Sequence, residues 1–436
     1  MKTASSIARA MQSFVIEGGR PLSGTVRASG NKNGALPILA ACVLATDEVR
    51  LSNVPRIRDV ETMVELLADL GADVEWTGPN EVRIDATGVG RTDLDAELAR
   101  EIRASFLLAG PLLARFGRVT VPPPGGDVIG RRRLDTHVHA FSALGADVHI
   151  DGVYELTADT LRGARVYLDE ASVMGTENAI MAAVVAEGET ILGNAACEPH
   201  IQDLCRFLVS LGAEIEGIGS NVLHIHGTRE LGGSDYRIGP DHIEVASFLG
   251  LAAATGGEVV VTDVEPDDLI SIVPAFRKLG IEMEVSDSSV LVRAGQLLHV
   301  EDDLGGQIPK IDSGVWPAFP ADLTSIAVAV ATQAHGTVLI FEKMFENRLV
   351  FVDKLVSMGA RIIVCDPHRV VVTGPAMLYG ERLESPDIRA GMAMLIAALC
   401  AEGTSTIGNI RQIDRGYERM DERLRELGAA IERTEL

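Results

Sequence analysis

One short phrase recurs along the whole chain and limits what it can fold into. Leu70-Gly71-Ala72, Leu144-Gly145-Ala146, Leu211-Gly212-Ala213, Leu279-Gly280-Ile281, Met358-Gly359-Ala360 and Leu427-Gly428-Ala429 follow one another at intervals of 67 to 79 residues. A Gly after a Leu is a common helix stop, but six copies at one period mark a repeat architecture. Each phrase closes an amphipathic stretch, as in Val60 to Leu70, and a short alternating strand such as Ala72 to Trp76 follows it. About 20 residues upstream lies another strand-like run, for instance Val119-Thr120-Val121, Thr190-Ile191-Leu192, Val259-Val260-Val261 or Val338-Leu339-Ile340. Before that run comes a second helix rich in small residues: Ala179 to Gly188, Val245 to Gly256, Thr324 to Gly336 and Ile388 to Gly403. Every unit thus holds one helix fit only for burial and one with a polar face. Six units predict two domains of three, with helices packed inside sheets.

Composition agrees with this reading. Of 436 residues, 47% are hydrophobic but only 4% aromatic, and 44 are Gly, which suits close-packed small-residue helices and rules out a disordered chain. The formal charge of −23 argues against sequence-independent nucleic-acid binding, which needs a basic face. A local Arg cluster can still oppose that field for a small anion. The five cysteines (Cys42, Cys197, Cys205, Cys365, Cys400) form no C-x-x-C pair and read as reduced, structural thiols of a cytoplasmic protein. Neither a signal core between Met1 and Ser13 nor an apolar run of spanning length occurs, so the expected chain is soluble and free of membrane spans.

The chemistry-bearing residues sit at unit starts and in one loop. Ser29-Gly30-Asn31-Lys32-Asn33-Gly34-Ala35-Leu36-Pro37 places a Lys where a helix opens, and a Lys beside helix N-terminal N–H groups suits an anion. Pro122-Pro123-Pro124-Gly125-Gly126-Asp127-Val128-Ile129-Gly130-Arg131-Arg132-Arg133 reads either as a lid carrying an acid ahead of phosphate-binding arginines or as a solvated surface loop. Trp316-Pro317-Ala318-Phe319-Pro320-Ala321-Asp322, Phe345-Glu346-Asn347-Arg348, Ser385-Pro386-Asp387-Ile388-Arg389 and Ile413-Asp414-Arg415-Gly416-Tyr417-Glu418 complete the set. Taken singly, any of these Asp or Arg residues is a cap or an ion pair.

In combination and order, the segments S-G-x-K-N-x-A-L-P, P-x-F-P-x-D, F-E-N-R, D-I-R-A and I-D-R-G-Y-E resemble the enolpyruvyl (carboxyvinyl) transferase family, from about Phe14 to Leu436. The resemblance implies an α/β fold: a two-domain inverted α/β barrel of six βαβαββ-type repeats, three per domain. It places one domain at 32–239 with the Asp127 loop, and the other at 11–31 plus 240–436, joined by a two-strand hinge. It implies a transferase of alkyl or aryl groups other than methyl. The donor is phosphoenolpyruvate, and the acceptor is UDP-N-acetylglucosamine or a related nucleotide, as in the step that commits to peptidoglycan. Addition at C2, protonation at C3 and loss of phosphate make up the reaction. No metal or organic cofactor is implied, nor any nucleic-acid or membrane partner, and the expected state is a monomer.

By the same resemblance, Lys32, Arg132 and Arg415 match phosphate-side cations, and Arg348 and Arg389 match the carboxylate side. Asn33 matches a donor-site residue beside the Lys, and Arg103 matches one that contacts nucleotide sugar or donor. Arg133, Leu134, Asp135, Ser172 and Met344 fall in the matching nucleotide-sugar segments. Asp322 matches the general base at the acceptor hydroxyl, with Asp387 a second carboxylate and Lys32 part of the catalytic set.

Several positions depart from the family pattern. Asp127 stands where a Cys is usual, the proton donor and the residue that fosfomycin alkylates, so insensitivity to fosfomycin is expected. Arg133 replaces a rigid Pro, Glu170 replaces a cation near the diphosphate, His200 replaces an acid and His242 an Arg. Arg133 would restore the charge lost at Glu170. The His137-x-His139 pair is expected at the surface. These departures leave open a different nucleotide or sugar acceptor, or a paralogue that binds nucleotide sugar without transfer. An RNA 3′-phosphate cyclase with similar repeats is disfavoured by the charge.

Overall fold

The computed structural model describes residues 12–127 and 129–435. The expected domain ends at 11 and 436 lie outside the described residues, as does Val128 of the Asp127 loop. Within the chain, two compact units separate. One holds the residues up to Arg27, Ile243–Ser313 and Ala321 onward; the other holds Ala28–His242 and Gly314–Pro320.

Each unit is built from three helix pairs and three small sheets. The small-residue helices are buried over most of their length: Ala109–Phe116 and Val173–Ala183 in one unit, Thr324–Ala331 and Ile388–Cys400 in the other. Within its own unit each packs against its like, Ala109–Phe116 on Val173–Ala183 and Thr324–Ala331 on Ile388–Cys400. The first pair approaches closely because Gly110 has no side chain; a Cβ there would lie 2.7 Å from Asn178 Oδ1. The amphipathic helices Arg58–Leu70 and Pro199–Ser210 lie outside, each with one buried face.

The recurrent Gly follows the amphipathic helix in every repeat. Gly71, Gly145, Gly212, Gly280, Gly359 and Gly428 all take φ between 82° and 111°, the left-handed region that lets a chain turn from helix to strand. The strand that follows is outermost in its sheet. In the order Asp235–Arg237, Val49–Ser52, Glu81–Asp85, Asp73–Gly78, the first pair is parallel and the rest antiparallel. The other sheets repeat this plan, five of four strands and one of three among the described residues. The three-stranded sheet fills its fourth place with a parallel bridge from Asp93 to Thr120.

Two leading strands are exchanged, and this makes the chain cross between units. Ser23–Arg27 pairs parallel with Glu258–Thr262, while Asp235–Arg237 pairs parallel with Val49–Ser52. The segments that follow these strands meet at Gly30 and Pro240, where Asn31 N donates to Gly239 O (2.8 Å) and Asp241 N to Ser29 O (2.9 Å).

Cys42, Cys197 and Cys205 are buried, Cys400 is half-buried and Cys365 is exposed; all five are free thiols. No described helix is long and apolar enough to cross a membrane.

Two of the helix stops test the repeat logic. A Cβ on Gly71 would meet Gly88 O at 2.7 Å, whereas one on Gly212 meets nothing within 4 Å at nearly the same φ. Gly212→Ala should cost about 1–2 kcal/mol, the penalty of a left-handed alanine. Gly71→Ala should cost more, and the two thermal midpoints measured by calorimetry should fall in that order.

Candidate active site

The Lys32 segment begins the helix Lys32–Ala41. Asn31 caps it, its Oδ1 accepting from Asn33 N (2.9 Å) and Gly34 N (3.3 Å). A hydrogen-bonded cap fixes the first turn, so Lys32 leaves the backbone in one direction. Its Nζ lies 2.9 Å from Asp59 Oδ2, and both residues are buried. Asp59 was invisible as a partner in the sequence, where it reads as an ordinary first-turn acid of the Arg58–Leu70 helix. A buried ammonium needs such a carboxylate. Asn33 is half-buried beside it.

The Asp127 loop is docked rather than solvated. A Cβ on Gly125 would lie 1.7 Å from Arg100 O, and one on Gly126 2.8 Å from Arg103 Cβ, so this stretch lies flat on the backbone of residues 100–103. Arg103 reaches the far end of the same loop, donating to the carbonyls of Arg132 (2.6 Å) and Arg133 (3.4 Å). Burial pushes its guanidinium below the ordinary range. Arg103 therefore fastens the segment that carries Asp127 and Arg132, both half-buried.

Arg133 is exposed and paired with Asp135 Oδ2 (3.1 Å) and Asp169 Oδ2 (3.3 Å). The hydrogen bond from Arg133 holds the Asp135 carboxyl below its usual range. Glu170 is exposed in the same neighbourhood, so the charge of Arg133 is already opposed by acids. Half-buried Leu134 precedes the helix Asp135–Ala143, and Ser172 Oγ caps the helix Val173–Ala183 by accepting from Gly175 N (3.2 Å).

Two expectations about histidines change. His137 is buried, not at the surface: its Nδ1 lies 2.9 Å from Asn178 Nδ2, and its ring meets Phe106 edge-on at 5.0 Å. It sits on the inner face of its helix, which periodicity over so short a stretch did not reveal. His139 is exposed, near Tyr167 O. The departures at His200 and His242 are one feature, because the two buried rings lie parallel with centroids 6.3 Å apart. The two departures thus meet at one place in the fold.

The second cluster lies in the other unit. Asp322, in the short turn before the Thr324–Ala331 helix, accepts from Arg348 at Oδ1 (2.8 Å) and from Arg389 at Oδ2 (3.0 and 3.1 Å). Both guanidiniums are buried, and Arg348 Nη1 also lies 3.8 Å from Asp387 Oδ1. Asp387 caps the Ile388–Cys400 helix, accepting from Arg389 N (2.9 Å) and Ala390 N (3.0 Å). Glu342, fully buried and missed in the sequence, accepts from Thr324 Oγ1, Met344 N and Phe345 N at 2.7–3.1 Å. It ties the start of the helix that follows Asp322 to the loop that leads into Arg348.

Arg415 follows the four-residue helix Arg411–Asp414 and donates to Gln412 Oε1 (2.8 Å). The same phrase supplies Tyr417, whose ring lies 5.3 Å from the Arg389 guanidinium. Its partner phrase interlocks with it: a Cβ on Gly391 would strike Ile413, and one on Gly416 would strike Ile388. Each glycine accommodates the isoleucine of the other motif, which explains why both phrases carry that pair. Among the described residues no group of three or more His, Cys, Asp or Glu is arranged to hold a metal ion.

The structure thus brings Asp322, Asp387, Arg348 and Arg389 together, with Met344 in the loop that leads into Arg348 and Arg415 two residues before the Tyr417 that faces Arg389; in the other unit it joins Arg103 to Arg132 and Arg133. The comparisons with known proteins agree across the chain. The family model described as EPSP synthase (3-phosphoshikimate 1-carboxyvinyltransferase) matches residues 16–424. This chain belongs to that carboxyvinyltransferase family. A UDP-N-acetylglucosamine 1-carboxyvinyltransferase of Bradyrhizobium diazoefficiens is 57% identical over 96% of this chain and 97% of its own length. One from Treponema denticola is 53% identical over 97% and 99%. Among solved structures, the enolpyruvyl transferase NikO from Streptomyces tendae superposes with a TM-score of 0.87 at 25% identity, covering 98% of this chain and 100% of its own. The EPSP synthase of Acinetobacter baumannii shares the fold, with a TM-score of 0.74 at 19% identity and coverage of 98% and 100%. The fold is therefore the enolpyruvyl transferase fold that the resemblance implied, and its two units of three sheets each are what the six repeats predicted.

His137 gives this region an acid-sensitive point. Burial first, then the nearby Arg103 charge, pushes its ring from 6.5 down to about 3. Above pH 6.5 the ring is neutral in both folded and unfolded chains and contributes nothing to pH dependence. Below that value the unfolded chain binds a proton that the folded chain refuses. Stability should then fall by up to about 1.4 kcal/mol per pH unit until pH nears 3. His137→Asn should flatten this limb by up to one proton in denaturation measured at a series of pH values.

Proposed function

We propose that this chain transfers the enolpyruvyl group of phosphoenolpyruvate to the 3-hydroxyl of UDP-N-acetylglucosamine and releases phosphate. It would thereby act at the start of peptidoglycan synthesis, as a cytoplasmic monomer, and so serve cell-wall growth, cell shape and division. The observation that carries this reading is the relative 57% identical over nearly both full lengths that bears the corresponding name. The residues supply a consistent chemistry. Phosphoenolpyruvate is a phosphate and a carboxylate on one small carbon skeleton, and it needs fixed cations on two sides. Lys32, Arg132 and Arg415 serve the phosphate, with Asn33 beside Lys32. Arg348 and Arg389 serve the carboxylate, and Arg348 Nε is buried without a hydrogen-bond partner among the described residues. A guanidinium has five N–H donors, so both can hold Asp322 and a substrate carboxylate.

Asp322 is the accessible member of its cluster. Its side chain is 28% exposed, whereas those of Arg348 and Arg389 are 3% and 4% exposed. The acceptor hydroxyl gives its proton to Asp322 while its oxygen bonds to C2 of the donor, and C3 takes a proton from Asp127. Loss of a C3 proton and cleavage of the C2–O bond to phosphate then restore the double bond in the product. Asp387 keeps Arg348 and the Ile388–Cys400 helix in place. Arg103 holds the Asp127 loop, while Arg133, Leu134, Asp135, Ser172 and Met344 lie along the nucleotide-sugar segments.

A second reading keeps the reaction but changes the acceptor. Exposed Glu170, beside an Arg133 already paired with Asp135 and Asp169, disfavours a diphosphate there. Phosphate release from phosphoenolpyruvate, with mass spectrometry of the product, separates the readings. UDP-N-acetylglucosamine should gain the enolpyruvyl mass, and uridine monophosphate and shikimate 3-phosphate should not. Release only with another nucleotide would favour the second reading, and tight sugar binding without release would favour a binding paralogue. Asp322→Ala should abolish turnover; retained transfer would remove it as the base.

The Asp127 substitution carries its own consequence. A carboxylate opens an epoxide far less readily than a thiolate, so the enzyme should show no time-dependent inactivation by fosfomycin. Asp127→Cys should create it, with one label per chain by intact-mass measurement.

A further inference from the structure

The last strand, Ala430–Glu435, pairs antiparallel with Gln12–Glu17, so the two ends of the described chain form one ribbon. Arg433 projects from it into a network outside the proposed catalytic set. Its guanidinium is bidentate to Asp414 (2.8 and 2.9 Å), donates to Asp421 Oδ1 (2.9 Å) and to Gln12 Oε1 (3.3 Å), and lies 4.9 Å from the Phe14 ring centroid. Its hydrogen bonds to the accepting carboxylates of Asp414 and then Asp421 hold this guanidinium above its ordinary range. Asp414 is the residue immediately before Arg415.

That adjacency gives the network a use. Successive helical residues point about 100° apart, so fixing Asp414 on Arg433 also fixes the direction in which Arg415 leaves the chain. The Arg415 guanidinium meets Gln412, a neutral partner, at 2.8 Å. Without Arg433, a partly buried carboxylate would be left one residue from a cation that must receive a phosphate. It would either pair with Arg415 or repel the ligand. We infer that Arg433 is a positioning residue for the phosphate side of the donor site. It draws the Asp414 carboxylate away from Arg415 and anchors the Arg411–Asp414 turn to the paired chain ends. The inference rests on the assignment of Arg415 to phosphate.

Steady-state kinetics on the whole enzyme, with orthophosphate as a competing ligand, tests it. Arg433→Met should raise KM for phosphoenolpyruvate about tenfold and weaken orthophosphate inhibition by a similar factor, the usual scale for a partner that orients a binding group. KM for the nucleotide acceptor should stay within about twofold. Combining Arg433→Met with Asp414→Asn, which removes the stranded charge, should recover most of the loss. Should Arg433→Met fail to fold, Arg433→Lys, which keeps the charge but loses the fork, should shift the same two constants in the same direction. Unchanged donor constants, or equal losses for both substrates with no recovery in the double variant, would overturn the inference. Arg415→Met separates the two levels: loss there without loss at Arg433 overturns this inference alone. No loss at Arg415 overturns the phosphate assignment, and this inference with it.

Discussion

A helix built almost wholly of small apolar residues must be covered on every side, and the rest of this chain follows from that constraint. Thr324–Ala331 is buried at every position, and Ile388–Cys400 at all but its last residue. Burying apolar surface contributes about 25 cal/mol per Å², but only if the backbone termini of such helices find partners. Here polar side chains at the helix starts supply them: Asn31, Ser172 and Asp387. The same starts carry Lys32 and Arg389. Fold and candidate chemistry therefore share residues, because the end of a buried helix is where a polar group can be both fixed and approached.

Charge inside the units is arranged in ion-paired groups rather than as bare cations. Lys32 faces Asp59, Arg348 and Arg389 share Asp322, and Arg433 holds Asp414 and Asp421. Removing one partner from a buried pair is costly, by about 3–5 kcal/mol, since the other is left uncompensated. The net charge of −23 is thus no guide to what the interior can bind. Local pairing sets that, and in each group carboxylates hold a cationic side chain in place.

Much of the site was legible because motifs mark helix starts. Asp387 and Arg389 occupy the cap and the second residue of one helix, so residues two apart in sequence are also neighbours in space. The remainder was not legible because contacts at long sequence separation leave no local trace. Asp59 looks like any first-turn acid until Lys32 is placed against it. His200 and His242, 42 positions apart, read as two departures and prove to be one stacked pair. His137 was expected outside on the strength of a polar pair; only the packing of Phe106 and Asn178 around it puts it inside.

The amino-acid sequence by itself determined the six-fold repeat, the alternation of buried and half-exposed helices and the family. These depend on period, side-chain size and glycine at left-handed turns, all local properties. Tertiary structure alone decided the exchange of Ser23–Arg27 and Asp235–Arg237 between units, the carboxylate that each buried cation received, and the link from Arg433 to the residue before Arg415. A hydrogen-bonded strand pair or ion pair depends on which distant segments the core brings within about 3 Å of each other, and no periodicity in the chain encodes that distance.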